Sequence, residues 1–257
     1  MASNRDIALK AYKAQVRKLE SKPEDWKEIL KSMEKLKTLG YIDKLSNLTR
    51  EEQSLVKSSP VHYYIPWLIA RSVNSVTTPC RTVFNASSVT TSGYSLNDLL
   101  SKGRNNLNKL VQIFILWLTF FSAYCTDIQK MYNTIKLVPE HWCYQLFLWD
   151  DELSSKGEPE TNVIKTIIYG ARPSGNQAEC ALRKTASLHK EDYPKQETII
   201  EERTYVDDCA SGATVLNDKG MPCHEKSYPY GEAREITDDL QTVLRWFQPQ
   251  RDNLLRI

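Results

Sequence analysis

The sequence predicts an α+β protein, in which helices and strands occupy successive stretches of the 257-residue chain. Three observations support this class. Residues 5–58 carry apolar side chains at helical spacing, whereas the chain from His62 onward is rich in the aromatic and β-branched residues typical of strands. Further along, two predicted strands end in acidic residues, one at Asp127 and one at Asp207–Asp208, with a helix predicted between them.

Residues 1–60 are predicted to form a helical N-terminal segment. The signals at its helix ends are capping boxes at Ser21–Glu24 and Thr49–Glu52, a proline early in a helix at Pro23, and a C-terminal glycine at Gly40. A capping box satisfies backbone N–H groups that the first helical turn leaves without partners. We therefore expect one helix to begin after each box.

The next stretch is predicted to change from strands to a helix and back. Residues 62–87 are expected to be extended strands and loops. Residues 95–118 are expected to be helical, with Ser95 or Asn97 as the N-cap, and residues 119–127 are expected to form a strand.

The run VQIFILWLTFFSAY, residues 111–124, is the most apolar part of the chain. Its length falls short of the roughly 20 residues that a membrane-spanning helix requires. We therefore predict a buried helix that passes into a buried strand, and no association with a membrane.

The second half of the chain is predicted to alternate in the same way. Residues 162–170 are expected to be a strand, residues 171–190 a loop passing into a helix, and residues 197–206 a strand that leads into the aspartate pair. Residues 233–247 are predicted to form a closing helix. The apolar residues on one face of that helix are Ile236, Leu240, Val243, Leu244 and Phe247.

The overall charge is small. The net charge is +2, although residues 1–60 hold 13 Lys and Arg against 9 Asp and Glu. This mildly basic segment suits a phosphate backbone, or is simply a solvated helix face. The six cysteines include no Cys-x-x-Cys pair, so neither a zinc ribbon nor a disulfide framework is expected, and an intracellular location is predicted.

Asp207 and Asp208 are adjacent carboxylates whose like charges repel, and each resists burial. If the strand that ends at Asp127 lies beside them, two or three carboxylates converge. Oxygen-only ligands suit Mg²⁺, which also accepts phosphate oxygens from a substrate. The alternative is structural, because Asp is common in turns, where it accepts backbone hydrogen bonds. Spacing by itself leaves both interpretations open.

Four ordered motifs go beyond this general chemistry. They are TVFNASSVTTSGYSLNDLL at 82–100, CTDIQKMYNTIKLVPEHWCYQLFLW at 125–149, IIYG at 167–170 and EDYPKQETIIEERTYVDDCASGA at 191–213. Together they resemble the reverse transcriptase of BEL/Pao-type long-terminal-repeat retrotransposons. The resemblance implies a right-hand polymerase fold with fingers and palm over residues 61–245, followed by a C-terminal tail at 246–257. A thumb, a ribonuclease H segment, an integrase and a protease are not recognised.

The resemblance also implies roles for particular residues. Asp127, Asp207 and Asp208 would be the catalytic aspartates that bind two Mg²⁺ ions, for which Mn²⁺ is a possible substitute. Tyr132 would be the aromatic gate under the sugar of the incoming nucleotide, and Arg81 would meet its triphosphate. The remaining positions are Tyr169 and Gly170 under the nascent base pair, and Tyr205 and Val206 in the palm hairpin.

The implied partners are deoxynucleoside triphosphates, a primer on an RNA or DNA template, and the remainder of a Pol polyprotein. The chain departs from the family at Pro79, where Lys is usual, and at Asn85, where Asp is usual. Three functions are therefore considered: an RNA-directed DNA polymerase, an inactive or co-opted remnant that binds nucleic acid or a protein, and a metal-dependent phosphotransferase or nuclease of unrelated fold.

Overall fold

The computed structural model describes residues 4–71, 80–120, 122–152 and 156–213. The α-helices in these ranges are α1 (Arg5–Glu20), α2 (Pro23–Thr38), α3 (Arg50–Ser58), α4 (Leu96–Leu99), α5 (Leu110–Leu118), α6 (Ser174–Leu188) and α7 (Pro194–Arg203). The strands are β1 (Ile42–Lys44), β2 (Trp67–Arg71), β3 (Cys80–Phe84), β4 (Ser122–Asp127), β5 (Leu146–Trp149), β6 (Glu160–Ile164), β7 (Thr204–Tyr205) and β8 (Asp208–Ala213). Their pairings are antiparallel, so this part of the chain combines helices with antiparallel sheets.

The chain divides into two compact units. The first holds the described residues up to Lys102 together with Lys136–Ser174, and the second holds Gly103–Ile135 together with the described residues from Gly175 onward. Segment 1–60, which the sequence set apart, is not a unit of its own, because its apolar side chains share one core with β2 and β5. The predicted closing helix and the tail after it lie outside the described residues.

The core of the first unit forms where α1 and α2 cover the strands. Tyr12 of α1 and Met33 of α2 are almost completely buried. Trp67 of β2 packs edge-on against Trp149 of β5, with ring centroids 5.2 Å apart, and against Tyr12 at 6.1 Å. The Trp67 indole also donates a hydrogen bond of 3.1 Å to the carbonyl oxygen of Leu148, so its one polar atom is satisfied inside the core.

The predicted helix-end signals are confirmed at three places, including Pro23 as the first residue of α2, and wrong at one. Thr49–Glu52 forms a complete capping box, and Gly40 follows the C-terminus of α2 with a left-handed φ of +72°. The box predicted at Ser21 is absent, because Ser21 is the C-cap of α1 instead. Its hydroxyl donates back to the carbonyl oxygen of Lys18 at 2.9 Å, and α2 begins after Lys22 without a side-chain cap.

The predicted helix over 95–118 is two helices with a break between them. Ser95 is the N-cap of α4 and forms a capping box with Asp98. The chain then leaves the helix, and Gly103 adopts a left-handed φ of +79°. This φ favours glycine, and a Cβ at Gly103 would also lie 2.5 Å from the Oδ1 atom of the Asn176 side chain, which would have to shift.

The prediction that the apolar run 111–124 forms a buried helix and a buried strand is wrong for both parts, since in the strand Ala123 is exposed and Tyr124 is only half-buried. Ile113 is only 1% exposed, but Val111 is 68% exposed and Leu118 is 83% exposed. Only one side of α5 packs on the protein, because a helix nine residues long buries a single stripe against one sheet. In the part of the chain that the structure describes, no helix has the length and apolarity needed to cross a membrane.

The second unit is built on a three-stranded sheet of order β4-β8-β7. The Trp117 indole of α5 donates to the carbonyl oxygen of Ser211 at 3.0 Å, and Arg203 of α7 donates to the Ser211 hydroxyl at 2.9 Å. The Arg203 guanidinium carbon also lies 4.8 Å from the centroid of the Phe120 ring. These contacts fix α5 and α7 against β8.

The prediction of a strand over 197–206 is wrong for most of its length. Residues Pro194–Arg203 form α7, and only Thr204–Tyr205 is a strand. Proline at the start of α7 is compatible with a helix, and Ile199 and Ile200 are both buried. The tertiary packing of these isoleucines therefore outweighs their local preference for a strand.

Candidate active site

The pairing of β4 with β8 brings together acidic residues that are far apart in the sequence. Asp127 is the direct cross-strand partner of Asp208. Side chains in such positions have Cβ atoms about 4.5–5.5 Å apart and point to the same face of the sheet. The backbone N–H of Ile128 donates to the carbonyl oxygen of Asp207 at 2.8 Å, which holds the third aspartate at the same end of the strands.

The alternation of side chains along both strands decides which residues face outward. Cys209 and Ser211 lie on one face of β8 and are completely buried. Asp208 and its partner Asp127 lie on the opposite face, and both are exposed. The sheet therefore presents the two carboxylates on its open face, while the other face packs against the helices.

A two-residue turn at Val206 and Asp207 connects β7 to β8, closed by the pairing of Tyr205 with Asp208. Val206 has a left-handed φ of +59°, which is unusual for a β-branched residue. Backbone strain of this kind costs on the order of 1–3 kcal/mol and is found preferentially at functional sites. The turn leaves Asp207 half-buried, next to exposed Asp208.

The three carboxylates interact electrostatically. Although the Asp127 side chain is exposed, partial desolvation by the surrounding protein raises its pKa above the ordinary value, and the negative charges of Asp207 and Asp208 raise this pKa further. Burial also raises the pKa of the neighbouring Cys125 thiol, with smaller contributions from Asp208 and Asp127. Asp127 therefore lies where negative charge has accumulated, a situation that a bound cation would relieve.

The donor set suits Mg²⁺ in kind, because Asp127, Asp207 and Asp208 offer only carboxylate oxygens. Their side chains do not form a ready-made cage: among the described residues, no three His, Cys, Asp or Glu side chains are arranged as a metal-binding group. The structure thus places the aspartates side by side and shows their mutual repulsion, without directing all three toward one point.

Tyr132 lies within electrostatic reach of one of these carboxylates, Asp207. It belongs to a short 3₁₀ helix, Met131–Thr134, and is half-buried. Burial raises the pKa of the Tyr132 hydroxyl, and the charges of Asp207 and Glu179 raise it further. A Cβ built on Gly175 would be 3.8 Å from the Tyr132 hydroxyl oxygen, so the start of α6 leaves room for this ring.

The other three predicted nucleotide-binding residues belong to the first unit. Arg81 is exposed on β3, opposite Ala70 of β2. Tyr169 is exposed, and Gly170 has a left-handed φ of +96° just after it. The structure therefore groups the aspartates with Tyr132 in one unit, and assigns Arg81, Tyr169 and Gly170 to the other.

Asn97 holds the loop at Gly170, a role that the sequence interpretation missed. Its side-chain N–H groups donate to the carbonyl oxygen of Gly170 and to the hydroxyl of Ser87, each at 2.8 Å. Its Oδ1 atom accepts from the backbone N–H of Arg172 at 2.8 Å. The sequence pattern predicts Asn97 only as an alternative N-cap, although an Asn just inside a capped helix has a short amide able to bond nearby loops.

Arg183 anchors the end of α7, just before the hairpin, and the sequence analysis also missed this contact. It forms an ion pair with Glu201 and donates to the carbonyl oxygen of Asn106 and to Oδ1 of Asn108, both at 3.1 Å. Asn108 in turn donates to the carbonyl oxygens of Glu201 and Thr204 at 2.9 Å. The run of asparagines at 105–108 was the signal available in the sequence.

The comparisons with known proteins do not assign the chain to a family. No protein-family model matches it, and no curated protein matches it. The site is therefore interpreted from its own geometry and chemistry, and from the order of the sequence motifs.

Proposed function

We propose that this chain is the polymerase portion of a reverse transcriptase, which adds deoxynucleotides to a primer 3′-hydroxyl on an RNA or DNA template. The observation that carries the proposal is the strand register that sets Asp127 opposite Asp208, at the end of a tight hairpin containing Asp207. The right-hand fold, with fingers and palm, is part of the same proposal. Its support is the order of the motifs along the chain.

Asp127, Asp207 and Asp208 are the residues that would hold Mg²⁺, with Mn²⁺ as a substitute. When bound, a pair of such ions activates an attacking hydroxyl and stabilises a leaving phosphate oxygen. The protein's own contribution is to hold carboxylates on an open sheet face, where they remain accessible to a large substrate. The mutual repulsion at Asp127 supports a site that is stabilised by cations.

Tyr132 is proposed to exclude ribonucleotides. Its ring is half-buried, which restricts its freedom, and it is within electrostatic reach of one of the three aspartates, Asp207. A flat ring in that position would collide with a ribose 2′-hydroxyl and accept a deoxyribose. Arg81, whose exposed guanidinium offers several N–H donors, is proposed to bind the triphosphate, and Tyr169 and Gly170 to lie under the nascent base pair.

A second candidate is a remnant without turnover that binds nucleic acid or a protein partner. The observations that favour it are the two departures in the sequence, Pro79 in place of a phosphate-facing lysine and Asn85 in place of an aspartate. Loss of a cation near the triphosphate would weaken nucleotide binding, because such contacts are largely electrostatic.

Primer extension distinguishes these functions. The full chain is incubated with a labelled primer on RNA and DNA templates, deoxynucleotides and Mg²⁺. Extension that Asp207→Asn removes, and that Asp192→Asn preserves, supports the polymerase, since Asp192 is an exposed aspartate of the loop between α6 and α7. Binding of primer–template without extension supports the remnant. Template-independent hydrolysis of nucleotides or nucleic acid supports an unrelated phosphotransferase or nuclease.

A further inference from the structure

Helix α5 exposes a continuous apolar stripe, although it lies against the sheet of the second unit. The stripe consists of Val111, Phe114, Ile115 and Leu118, which are 68%, 46%, 59% and 83% exposed. Their spacing places them on one helical face, and residues 110–118 contain no charged side chain. The opposite side of the helix, which includes buried Ile113, is the side that packs on the protein.

A stripe of this kind indicates a missing contact. Single exposed apolar residues are ordinary, but contiguous ones mark a surface that another element covers. Residues at positions i, i+3, i+4 and i+7 form the pattern by which one helix packs against another. The occupant expected from this chemistry is therefore a second amphipathic helix.

The chain continues from the end of β8, close to the end of α5, and its next segments can supply that helix. Ala213 at the end of β8 pairs with Ser122, which lies four residues beyond Leu118 at the end of α5. Residues 214–232 then connect to 233–247, and a connection of that length spans up to roughly 60 Å when extended. The connection is much longer than α5, which spans about 14 Å.

We propose that residues 233–247, which lie outside the described residues, cover the exposed stripe of α5. Their sequence contains neither glycine nor proline and has a complementary apolar face, formed by Ile236, Leu240, Val243, Leu244 and Phe247. Packing two such faces together removes both from water, which is the main stabilising term for helix association in solution. The contact is independent of any catalytic activity.

Photocrosslinking in the full chain tests the contact. Leu118 is replaced by photoreactive benzoylphenylalanine, and crosslinked peptides are identified by mass spectrometry at several protein concentrations. The expected product is an intramolecular crosslink to 233–247 whose yield does not depend on concentration. Leu188 of α6, which is 58% exposed, is the matched position for the crosslinker and is expected to give no such product.

Two substitutions in the segment sharpen the result. Leu240→Asp places a charge on the predicted apolar face and is expected to abolish the crosslink, whereas Thr242→Asp, on the opposite face, is expected to preserve it. Because Leu118 is exposed, replacing it leaves the fold of the described part unchanged, which circular dichroism verifies. Crosslinks between two copies, crosslinks only to other segments, or no crosslink at all would each overturn the proposal.

Discussion

Neutralising Asp127 is expected to stabilise the metal-free protein while removing its function. Asp127 lies opposite Asp208 and within electrostatic reach of Asp207, so Asp127→Asn removes two repulsive interactions. For carboxylates about 6 Å apart in a water-like dielectric, each repulsion amounts to about 0.7 kcal/mol before screening. Because salt screens exposed charges, we expect a net gain in the free energy of unfolding of about 0.5–1 kcal/mol at low ionic strength.

The measurement is urea unfolding in the presence of EDTA, followed by the fluorescence of the six tryptophans. The gain should disappear in about 1 M NaCl, because the Debye length is then only about 3 Å. Adding Mg²⁺ should stabilise the wild type and have a smaller effect on Asp127→Asn, since a ligand stabilises the state that binds it. The control is Asp192→Asn, which should change neither the stability in EDTA nor the stabilisation by Mg²⁺. If Asp127→Asn is no more stable than the wild type in EDTA and low salt, the three carboxylates do not form one electrostatic site.

Three further predictions concern the turn at Val206, the proposed sugar gate at Tyr132 and the loop at Gly170 that Asn97 holds. The Val206→Asn variant should have a free energy of unfolding about 1 kcal/mol higher than that of the Val206→Thr variant, because Asn tolerates a left-handed backbone and β-branched Thr does not. Equal urea midpoints for the two variants would contradict the inferred strain at Val206. Tyr132→Ala should increase the incorporation of ribonucleotides relative to deoxynucleotides in primer extension, whereas Tyr132→Phe, which keeps the ring, should not; unchanged selectivity in the Ala variant would remove Tyr132 from that role. Asn97→Ala should destabilise the protein by on the order of 1–3 kcal/mol in urea unfolding, since it removes three side-chain hydrogen bonds. Asn105→Ala, which removes one local bond, is the control and should cost clearly less.

The errors in the sequence-based predictions share a physical cause. Residues 197–206 include adjacent isoleucines that favour a strand locally, but burying both of them in α7 is worth more than that preference. The hydrophobicity of the run at 111–124 predicts burial, because apolar side chains prefer to be removed from water. Hydrophobicity does not show which neighbouring segment covers those side chains. The break between α4 and α5 contains Gly103, which lies against the side chain of Asn176, a residue far along the chain.

The sequence by itself determined the features that depend on neighbouring residues. The capping box at Thr49, the N-cap at Ser95 and the glycine after α2 all follow from contacts within a few residues, and all are present in the structure. The sequence also identified the candidate site residues Asp127, Asp207 and Asp208 and their order along the chain.

Only the tertiary structure decided how those acidic residues meet. The register of β4 against β8 selects Asp208 as the partner of Asp127, and a slip of one strand by one residue would turn one of these carboxylates to the buried face. The hydrogen bonds of Asn97 to Gly170 and Arg172 likewise join segments that are distant in sequence. Long-range pairing is governed by packing across the whole unit, so the local pattern of residues supplies the chemical groups while the fold sets the distances between them.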